Sequence, residues 1–164
     1  MTLRDALERI APHLRDEICV HSNGHLSRAA FGVRDVDTSF YMIGSMGLAS
    51  SIGLGTLATI AAVAPPNLLH LCFDNSAHAS TGSQPTISDR VALETMARAA
   101  GYRWTGRVES PDALDEALPG FLTRPGPAFL LVRIALGPAG APGPRIPWTP
   151  AEMTARLRRT LGSE

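Results

Sequence analysis

The residues with the clearest chemical character lie in the segment 74–86, which reads Asp-Asn-Ser-Ala-His-Ala-Ser-Thr-Gly-Ser-Gln-Pro-Thr. The acid Asp74 and the amide Asn75 are adjacent at its start, and His78 follows shortly after. Oxygen ligands of this kind suit Mg²⁺, which proteins usually hold with few groups of their own and with the phosphates of a substrate or cofactor. By themselves, Asp74 and Asn75 indicate a turn more often than a site. Both interpretations stay open at this point.

A second segment, 40–50, reads Phe-Tyr-Met-Ile-Gly-Ser-Met-Gly-Leu-Ala-Ser. Gly44 and Gly47 allow the backbone to approach a flat ring closely, and Met46 between them offers a soft, polarizable side chain. The same residues also suit the glycine-rich start of a helix that packs on a strand. The segment is therefore compatible with a cofactor site and with plain packing.

Short apolar runs that end at turn residues predict the elements that position these segments. Such runs are typical of strands buried in a parallel sheet, and the segments between them carry the spacing and the caps of helices. The predicted strands are Glu17–His21, Ser39–Ile43, Leu68–Phe73, Tyr102–Val108 and Ala128–Ile134. The predicted helices follow a capping box of Thr2 and Asp5, span Met46–Ala64 and Ser88–Ala100, and begin at Ser110 and Thr149.

Strands that alternate with helices need crossover connections, which predict an α/β fold with a doubly wound, mostly parallel sheet. A chain of 164 residues is long enough for one core and short enough to form a single domain, 1–164. Doubly wound sheets bind ligands at the carboxyl ends of their strands. The polar loops Ser22–Ser27 and Asp74–Thr86 both follow predicted strands, so we expect the chemistry in these loops.

The charge balance argues against polyanionic partners. Lys and Arg together number 15 and the acidic residues also number 15, so the formal net charge is zero and no basic field favours nucleic acid or an anionic membrane. The uncharged segment 42–64 is long enough to cross a bilayer, but its glycines, hydroxyl residues and missing anchors favour a buried helix. The N-terminal residues lack the apolar core of a secretory signal, which predicts a cytoplasmic protein.

Taken together, the segments 40–50 and 74–86 resemble the diphosphate-binding domain of phosphonopyruvate and sulfopyruvate decarboxylases. The resemblance implies the thiamine-diphosphate-binding fold of the diphosphate type, with thiamine diphosphate and Mg²⁺ as cofactors. It also implies decarboxylation of a 2-oxoacid with an anionic tail, by the small or beta subunit of a two-subunit enzyme. Further matching positions are Asn23-Gly24, Ser27-Arg28 and the tail 144–150.

The resemblance also implies roles for individual residues. Asn75 gives its side-chain oxygen to Mg²⁺ and Ala77 its backbone carbonyl, while Met46 is the wedge that bends the cofactor. A guanidinium is the natural partner of a phosphonate or sulfonate, and Arg28 is the candidate, although an ordinary surface ion pair explains it equally well. The implied cofactor-binding residues are Asn23, Gly24, Gly44, Ser45, Met46, Asn75 and Ala77. The implied catalytic residues are His78 and Thr81, and the implied substrate-binding residues are Arg28 and Gln84.

The chain departs from the family pattern in one large feature. The family has a Gly-Asp-Gly upstream of the position of Asn75, whereas here Gly55 joins directly to an earlier helix. By resemblance about two dozen residues are missing, including a core strand whose loss would leave backbone groups of its neighbours without partners. Either the sequence omits a real segment, or the domain is divergent and binds metal differently. Smaller departures are Ala29, Ala79 and Ser83.

The glutamate that activates the cofactor lies in the family's pyrimidine-binding domain, which no segment of this chain resembles. The resemblance therefore implies a hetero-oligomer in which a complementary subunit supplies that domain. Two alternatives remain. One is a thiamine-dependent lyase that acts on another 2-oxoacid, and the other is a non-catalytic assembly subunit with a degenerate metal site. Asn75, His78 and Gln84 favour catalysis, and the absent Gly-Asp-Gly favours the inert subunit.

Overall fold

The computed structural model describes residues 1–42, 57–79, 82–136 and 143–162. Helices and strands alternate along these residues. The helices are α1 (Leu3–Ile10), α2 (His25–Val33), α3 (57–63), α4 (Leu93–Ala100), α5 (Pro111–Leu122) and α6 (Pro150–Thr160). The strands are β1 (Cys19–His21), β2 (Ser39–Tyr41), β3 (Leu69–Asp74), β4 (Ala77–His78), β5 (Gln84–Pro85), β6 (Trp104–Val108) and β7 (Ala128–Arg133). Within the described ranges, no helix has the length and apolar character needed to cross a membrane.

The chain divides into two compact units. The first contains Met1–Ala6 and Gly47–Pro138, and the second contains Leu7–Met46 and Ala139–Glu164. The sheet of the first unit has the strand order β3-β7-β6, and both of its strand pairs are parallel. The central strand β7 is apolar and buried from Ala128 to Val132, as expected for a strand covered on both faces.

Helices cover both faces of this sheet. One face packs against α3 and α4, and its core consists of Leu57, Ala97, Tyr102, Phe129 and Leu131. Because successive side chains of a strand point to opposite faces, Ala128 points away from that core. Trp104 lies in register with Ala128 and packs against Phe121 of α5, with ring centroids 5.7 Å apart. This arrangement confirms the predicted α/β fold with a doubly wound parallel sheet.

The second unit contains the parallel pair β1 and β2, with α2 packed on β1 and α6 packed on β2. Arg156 of α6 is buried, and its Nη2 donates to both carboxylate oxygens of Asp35, each at 3.2 Å, and to the Val36 carbonyl at 3.0 Å. The guanidinium also lies 4.5 Å from the centre of the Trp148 ring. These contacts anchor α6 to the segment that precedes β2.

Three of the predicted helix caps are present. Thr2 and Asp5 exchange the two hydrogen bonds of a capping box, at 2.8 and 3.1 Å, and Thr149 forms the same arrangement with Glu152. The Ser110 hydroxyl accepts from the third residue of α5 at 3.2 Å. Each cap joins residues three apart, so local sequence was sufficient to find it.

Two predictions about the elements were wrong. Ser88 does not cap a helix, since α4 begins at Leu93 and the Ser88 hydroxyl instead contacts Asp74. The segment Ser22–Ser27 is not entirely a loop, because α2 begins at His25. The predicted helix Met46–Ala64 is helical over 57–63, and its first part lies outside the described residues.

Candidate functional site

The carboxyl end of β3 is fixed by Asp74, the last residue of the strand. Asp74 is 9% exposed and lies in register with Arg133 of β7, with which it forms an ion pair. The other carboxylate oxygen, Oδ1, accepts from the Ser76 backbone amide at 2.8 Å and from the Ser88 hydroxyl at 2.9 Å. Both oxygens are therefore engaged by the protein, and the carboxylate holds the start of the segment 74–89, which we call the β3 loop.

The two predicted metal ligands lie on one turn of the β3 loop. The Asn75 side-chain oxygen accepts from the Ala77 backbone amide at 3.0 Å, which closes a turn between the two residues. Both residues are half-buried. An amide oxygen has two lone pairs, so Asn75 retains acceptor capacity beyond this hydrogen bond. The structure thus brings Asn75 and Ala77 together, as a shared site requires.

Between them, Ser76 adopts a left-handed conformation with φ of 57°. Such a conformation costs a residue other than glycine roughly 1–2 kcal/mol. Each polar group of Ser76 is paired. The amide donates to Asp74, the carbonyl accepts from Thr86 N at 2.9 Å, and the hydroxyl donates to Asp89 at 2.5 Å. The hydroxyl also accepts from the Ser88 hydroxyl at 3.2 Å. These four contacts offset the backbone strain and determine the path of the turn.

Arg133 links the two carboxylates that bound the β3 loop. Its Nη1 pairs with Asp74 and its Nη2 donates to Asp89 Oδ1 at 3.1 Å. Partial burial opposes the charge of Arg133, but its hydrogen bonds to both acids raise the pKa of the guanidinium. The hydrogen bond from Ser76, together with Arg133, lowers the pKa of Asp89. Both pKa shifts favour the charged forms of Arg133 and Asp89.

The β3 loop then forms a two-stranded antiparallel hairpin from β4 and β5. His78 and Gln84 lie opposite each other in its register, and both are exposed. The Ser83 amide donates to the His78 carbonyl at 3.0 Å, and Ser83 has a positive φ of 58°. The structure thus brings the predicted catalytic residue His78 next to the predicted substrate residue Gln84.

The second unit contains the remaining described site residues. Gly24 precedes α2 with a φ of 83°, a conformation that favours glycine, and Asn23 beside it is half-buried. Arg28 lies within α2, and its Nε donates to the Gly143 carbonyl at 2.8 Å. Gly143 approaches α2 closely, since a Cβ there would lie 2.3 Å from the Arg28 carbonyl. The proposed role of Arg28 toward a substrate stays a prediction.

Four predicted site residues lie outside the described residues, namely Gly44, Ser45, Met46 and Thr81. Sequence reasoning also missed residues that form the network, namely Ser76, Ser88, Asp89 and Arg133. The sequence contained one signal for Arg133, which is the single charged residue of an otherwise apolar strand. A charge in such a position calls for a buried partner.

The oxygen donors of the β3 loop limit what it can bind. The Asp74 carboxylate is taken by Arg133 and two other donors, so the turn offers only the uncharged oxygens of Asn75 and Ala77. Among the described residues, no three His, Cys, Asp or Glu side chains form a metal cluster. This donor set fits Mg²⁺ whose charge is balanced by phosphate groups, and it does not fit a metal held by the described side chains alone.

The parallel α/β sheet and its polar loop define a class of proteins that bind ligands at the carboxyl ends of strands. No protein-family profile matches the chain. Sulfopyruvate decarboxylase subunit beta of Methanothermobacter thermautotrophicus is 34% identical over 84% of each chain. Phosphonopyruvate decarboxylase of Streptomyces viridochromogenes is 38% identical over 93% of this chain and 44% of its own length. Sulfopyruvate decarboxylase of Methanosarcina acetivorans is 36% identical over 98% of this chain and 47% of its own length.

The chain therefore belongs to the family of phosphonopyruvate and sulfopyruvate decarboxylases, and the suspected family is confirmed. It spans about half the length of the Streptomyces viridochromogenes and Methanosarcina acetivorans relatives, 44% and 47%. The names of the relatives include beta subunits, so two-subunit enzymes occur among them.

The relatives contain positions that have no counterpart in this chain. The match to the Methanosarcina acetivorans protein extends over 185 positions, whereas 98% of 164 residues is about 161. The match to the beta subunit extends over 161 positions, whereas 84% of 164 residues is about 138. Each comparison leaves about two dozen positions without a counterpart. That these unmatched positions contain the Gly-Asp-Gly stays a prediction. The expected junction at Gly55 lies outside the described residues.

Proposed function

We propose that this chain is the diphosphate-binding, beta-type subunit of a two-subunit decarboxylase that acts on a 2-oxoacid with an anionic tail. The observation that carries the proposal is the match to a protein named as a beta subunit of sulfopyruvate decarboxylase, of which the chain covers 84%. Decarboxylases of about twice its length also match. Their remaining half corresponds to a complementary subunit, which supplies the pyrimidine-binding domain.

Thiamine diphosphate and Mg²⁺ are the cofactors of this proposal. Asn75 and Ala77 provide the protein oxygens for Mg²⁺, and the diphosphate balances the charge of the ion. Thiamine diphosphate, when bound, supplies the electron sink that allows a 2-oxoacid to lose CO₂. Asn23 and Gly24, with the segment 44–46, complete the cofactor-binding residues.

The substrate is proposed to lie against the hairpin of β4 and β5. His78 and Gln84 are exposed side by side there and can donate and accept hydrogen bonds to the polar groups of an oxoacid. Arg28 is the proposed partner of the phosphonate or sulfonate, because a guanidinium binds such groups through two parallel hydrogen bonds. Its Nε donates to the Gly143 carbonyl at 2.8 Å.

The proposal is tested by reconstitution with a complementary subunit that carries the pyrimidine-binding domain. CO₂ release from phosphonopyruvate, sulfopyruvate and pyruvate is measured with and without thiamine diphosphate and Mg²⁺. We expect turnover of an anionic-tailed substrate only with both subunits and both cofactors. Turnover by this chain alone, or equal rates on all three oxoacids, would contradict the proposal.

A second candidate is a non-catalytic assembly subunit that keeps the fold but has lost metal binding. The engagement of Asp74 by Arg133 favours it, since the turn then offers no free carboxylate to a metal. Calorimetric titration of the complex with thiamine diphosphate, in the presence of Mg²⁺ or of EDTA, separates the two functions. Binding that requires Mg²⁺ supports the enzyme, and no binding under either condition supports the assembly subunit.

A further inference from the structure

The turn that carries Asn75 and Ala77 depends on contacts from outside itself. Ser76, at its centre, has a left-handed backbone that a serine adopts only when its surroundings require it. Two of its four contacts are made by the backbone amide and carbonyl, to Asp74 and Thr86. The other two are made by its hydroxyl, which donates to Asp89 at 2.5 Å and accepts from the Ser88 hydroxyl at 3.2 Å.

Asp89 is in turn held by Arg133, whose guanidinium spans the two ends of the β3 loop. The hydrogen bond from Nη2 to Asp89 is 3.1 Å long, and Nη1 of the same side chain pairs with Asp74. Arg133 lies on the central strand β7 and its side chain is 23% exposed, so its position is fixed by the sheet. Arg133 and Asp89 therefore connect Ser76 to the sheet and restrict its movement.

We propose that Asp89 and Arg133 are positioning residues that hold the turn of Asn75 and Ala77 in its metal-binding conformation. This inference rests on the proposed function, because it assumes that the turn binds Mg²⁺. Neither side chain supplies a metal ligand in this assignment. Both act through Ser76, which connects the two predicted ligands in the chain.

The two contacts of Arg133 differ in what they do. Asp74 is nearly buried, so its ion pair with Arg133 supports the fold, and removal of Arg133 would leave that carboxylate without its cation. Asp89 is 64% exposed, so its loss does not disturb the core. Asp89 is therefore the residue through which positioning can be tested without unfolding the protein.

The test compares Asp89→Ala and Asp89→Asn with the control Glu116→Ala, which removes an exposed acid from α5 in the same unit. In the assembled complex, hydrogen exchange of the Ser76, Ala77 and Thr86 amides is measured by mass spectrometry or NMR. Asp89→Ala should accelerate their exchange about tenfold, the effect of a charged hydrogen bond reduced by solvent exposure. Asp89→Asn keeps an acceptor for Ser76, so its amide exchange rates should lie between those of Asp89→Ala and the wild type.

The second measurement is the Mg²⁺ dependence of thiamine diphosphate binding in the same variants. We expect Asp89→Ala to raise the Mg²⁺ concentration at half-saturation about tenfold, which is within the range seen when a residue that supports a metal ligand is removed. Binding at saturating Mg²⁺ and the thermal midpoint should match those of Glu116→Ala. A merely structural role would instead lower the midpoint and leave the Mg²⁺ requirement unchanged.

The outcomes keep this inference separate from the proposed function. Unchanged amide exchange in Asp89→Ala overturns the positioning role, whatever the activity of the complex. Faster exchange with an unchanged Mg²⁺ requirement overturns it too, since the turn then moves without affecting the metal. If the wild-type complex shows no Mg²⁺-dependent binding at all, the proposed function fails first, and the inference fails with it.

Discussion

Replacement of Asn75 by alanine removes two functions that the structure assigns to one oxygen. The first is the hydrogen bond that Oδ1 accepts from the Ala77 amide at 3.0 Å. In a half-buried turn such a bond contributes about 0.5–1.5 kcal/mol to stability. At about 2–4 °C per kcal/mol for a chain of this size, the thermal midpoint should fall by a few degrees.

The second function is to be the proposed Mg²⁺ ligand. Loss of this ligand should cost more free energy than loss of the turn hydrogen bond does. Even residues outside the ligand set typically change metal affinity 10- to 100-fold, so Asn75→Ala should weaken Mg²⁺-dependent binding of thiamine diphosphate at least about tenfold. Asn75→Asp is the matched variant. Aspartate forms the same turn and offers a Mg²⁺ ligand, so it should keep both the midpoint and the binding.

Calorimetric titration of the assembled complex at several Mg²⁺ concentrations measures the affinity, and differential scanning calorimetry measures the midpoint. The expected result is a tenfold or greater loss in Asn75→Ala and near wild-type behaviour in Asn75→Asp. Equal cofactor affinity in the wild type and Asn75→Ala would refute the ligand role and leave Asn75 as a turn residue. A loss in both variants would show that the amide group itself is required.

Three further predictions concern residues of both units. Arg28→Lys keeps the charge but loses the planar fork, so it should lower kcat/KM for the phosphono or sulfo substrate by about 1.5–3 kcal/mol and spare pyruvate; equal losses on all oxoacids in steady-state kinetics would contradict this. Burial lowers the pKa of His21 and of His70 below 6.5, so these residues stabilise the fold above that pH, and their contribution should be lost as the pH falls from 7 to 5. Urea unfolding at both pH values should show a smaller loss in a variant with glutamine at both positions, and an identical loss would exclude the two histidines. Arg156→Met should lower the free energy of unfolding by about 2–3 kcal/mol, because it leaves the partly buried Asp35 carboxylate without its cation, whereas Arg159→Met at the exposed position should change it little.

The elements that sequence predicted well are those fixed by neighbouring residues. The strands β3, β6 and β7 lie within one or two residues of their predicted ends, because each is a short apolar run bounded by turn residues. The caps at Thr149 and Ser110 are likewise closed within three residues. The turn at Asn75 was also visible, since an Asx residue bonds its own backbone two residues on.

The contacts within the β3 loop could not be predicted from neighbouring residues. Ser88 has the residue type of a helix cap, and only its hydrogen bonds to Asp74 and Ser76 show that it is used inside the loop instead. A hydroxyl selects its partner by proximity, and the segment from 74 to 88 is brought back on itself by a hairpin. Sequence alone did not predict this return, because β4 and β5 have only two residues each.

By itself, the sequence determined the family, the α/β class and the residues whose types suit a metal and an oxoacid. Family motifs are contiguous in the chain, and period and composition can be read from neighbouring residues. Only the tertiary structure decided that Arg133, 59 residues after Asp74, holds that carboxylate and through Asp89 the turn of Asn75. The physical reason is the parallel pairing of β3 with β7, whose register places the last residues of two distant strands side by side at the same edge.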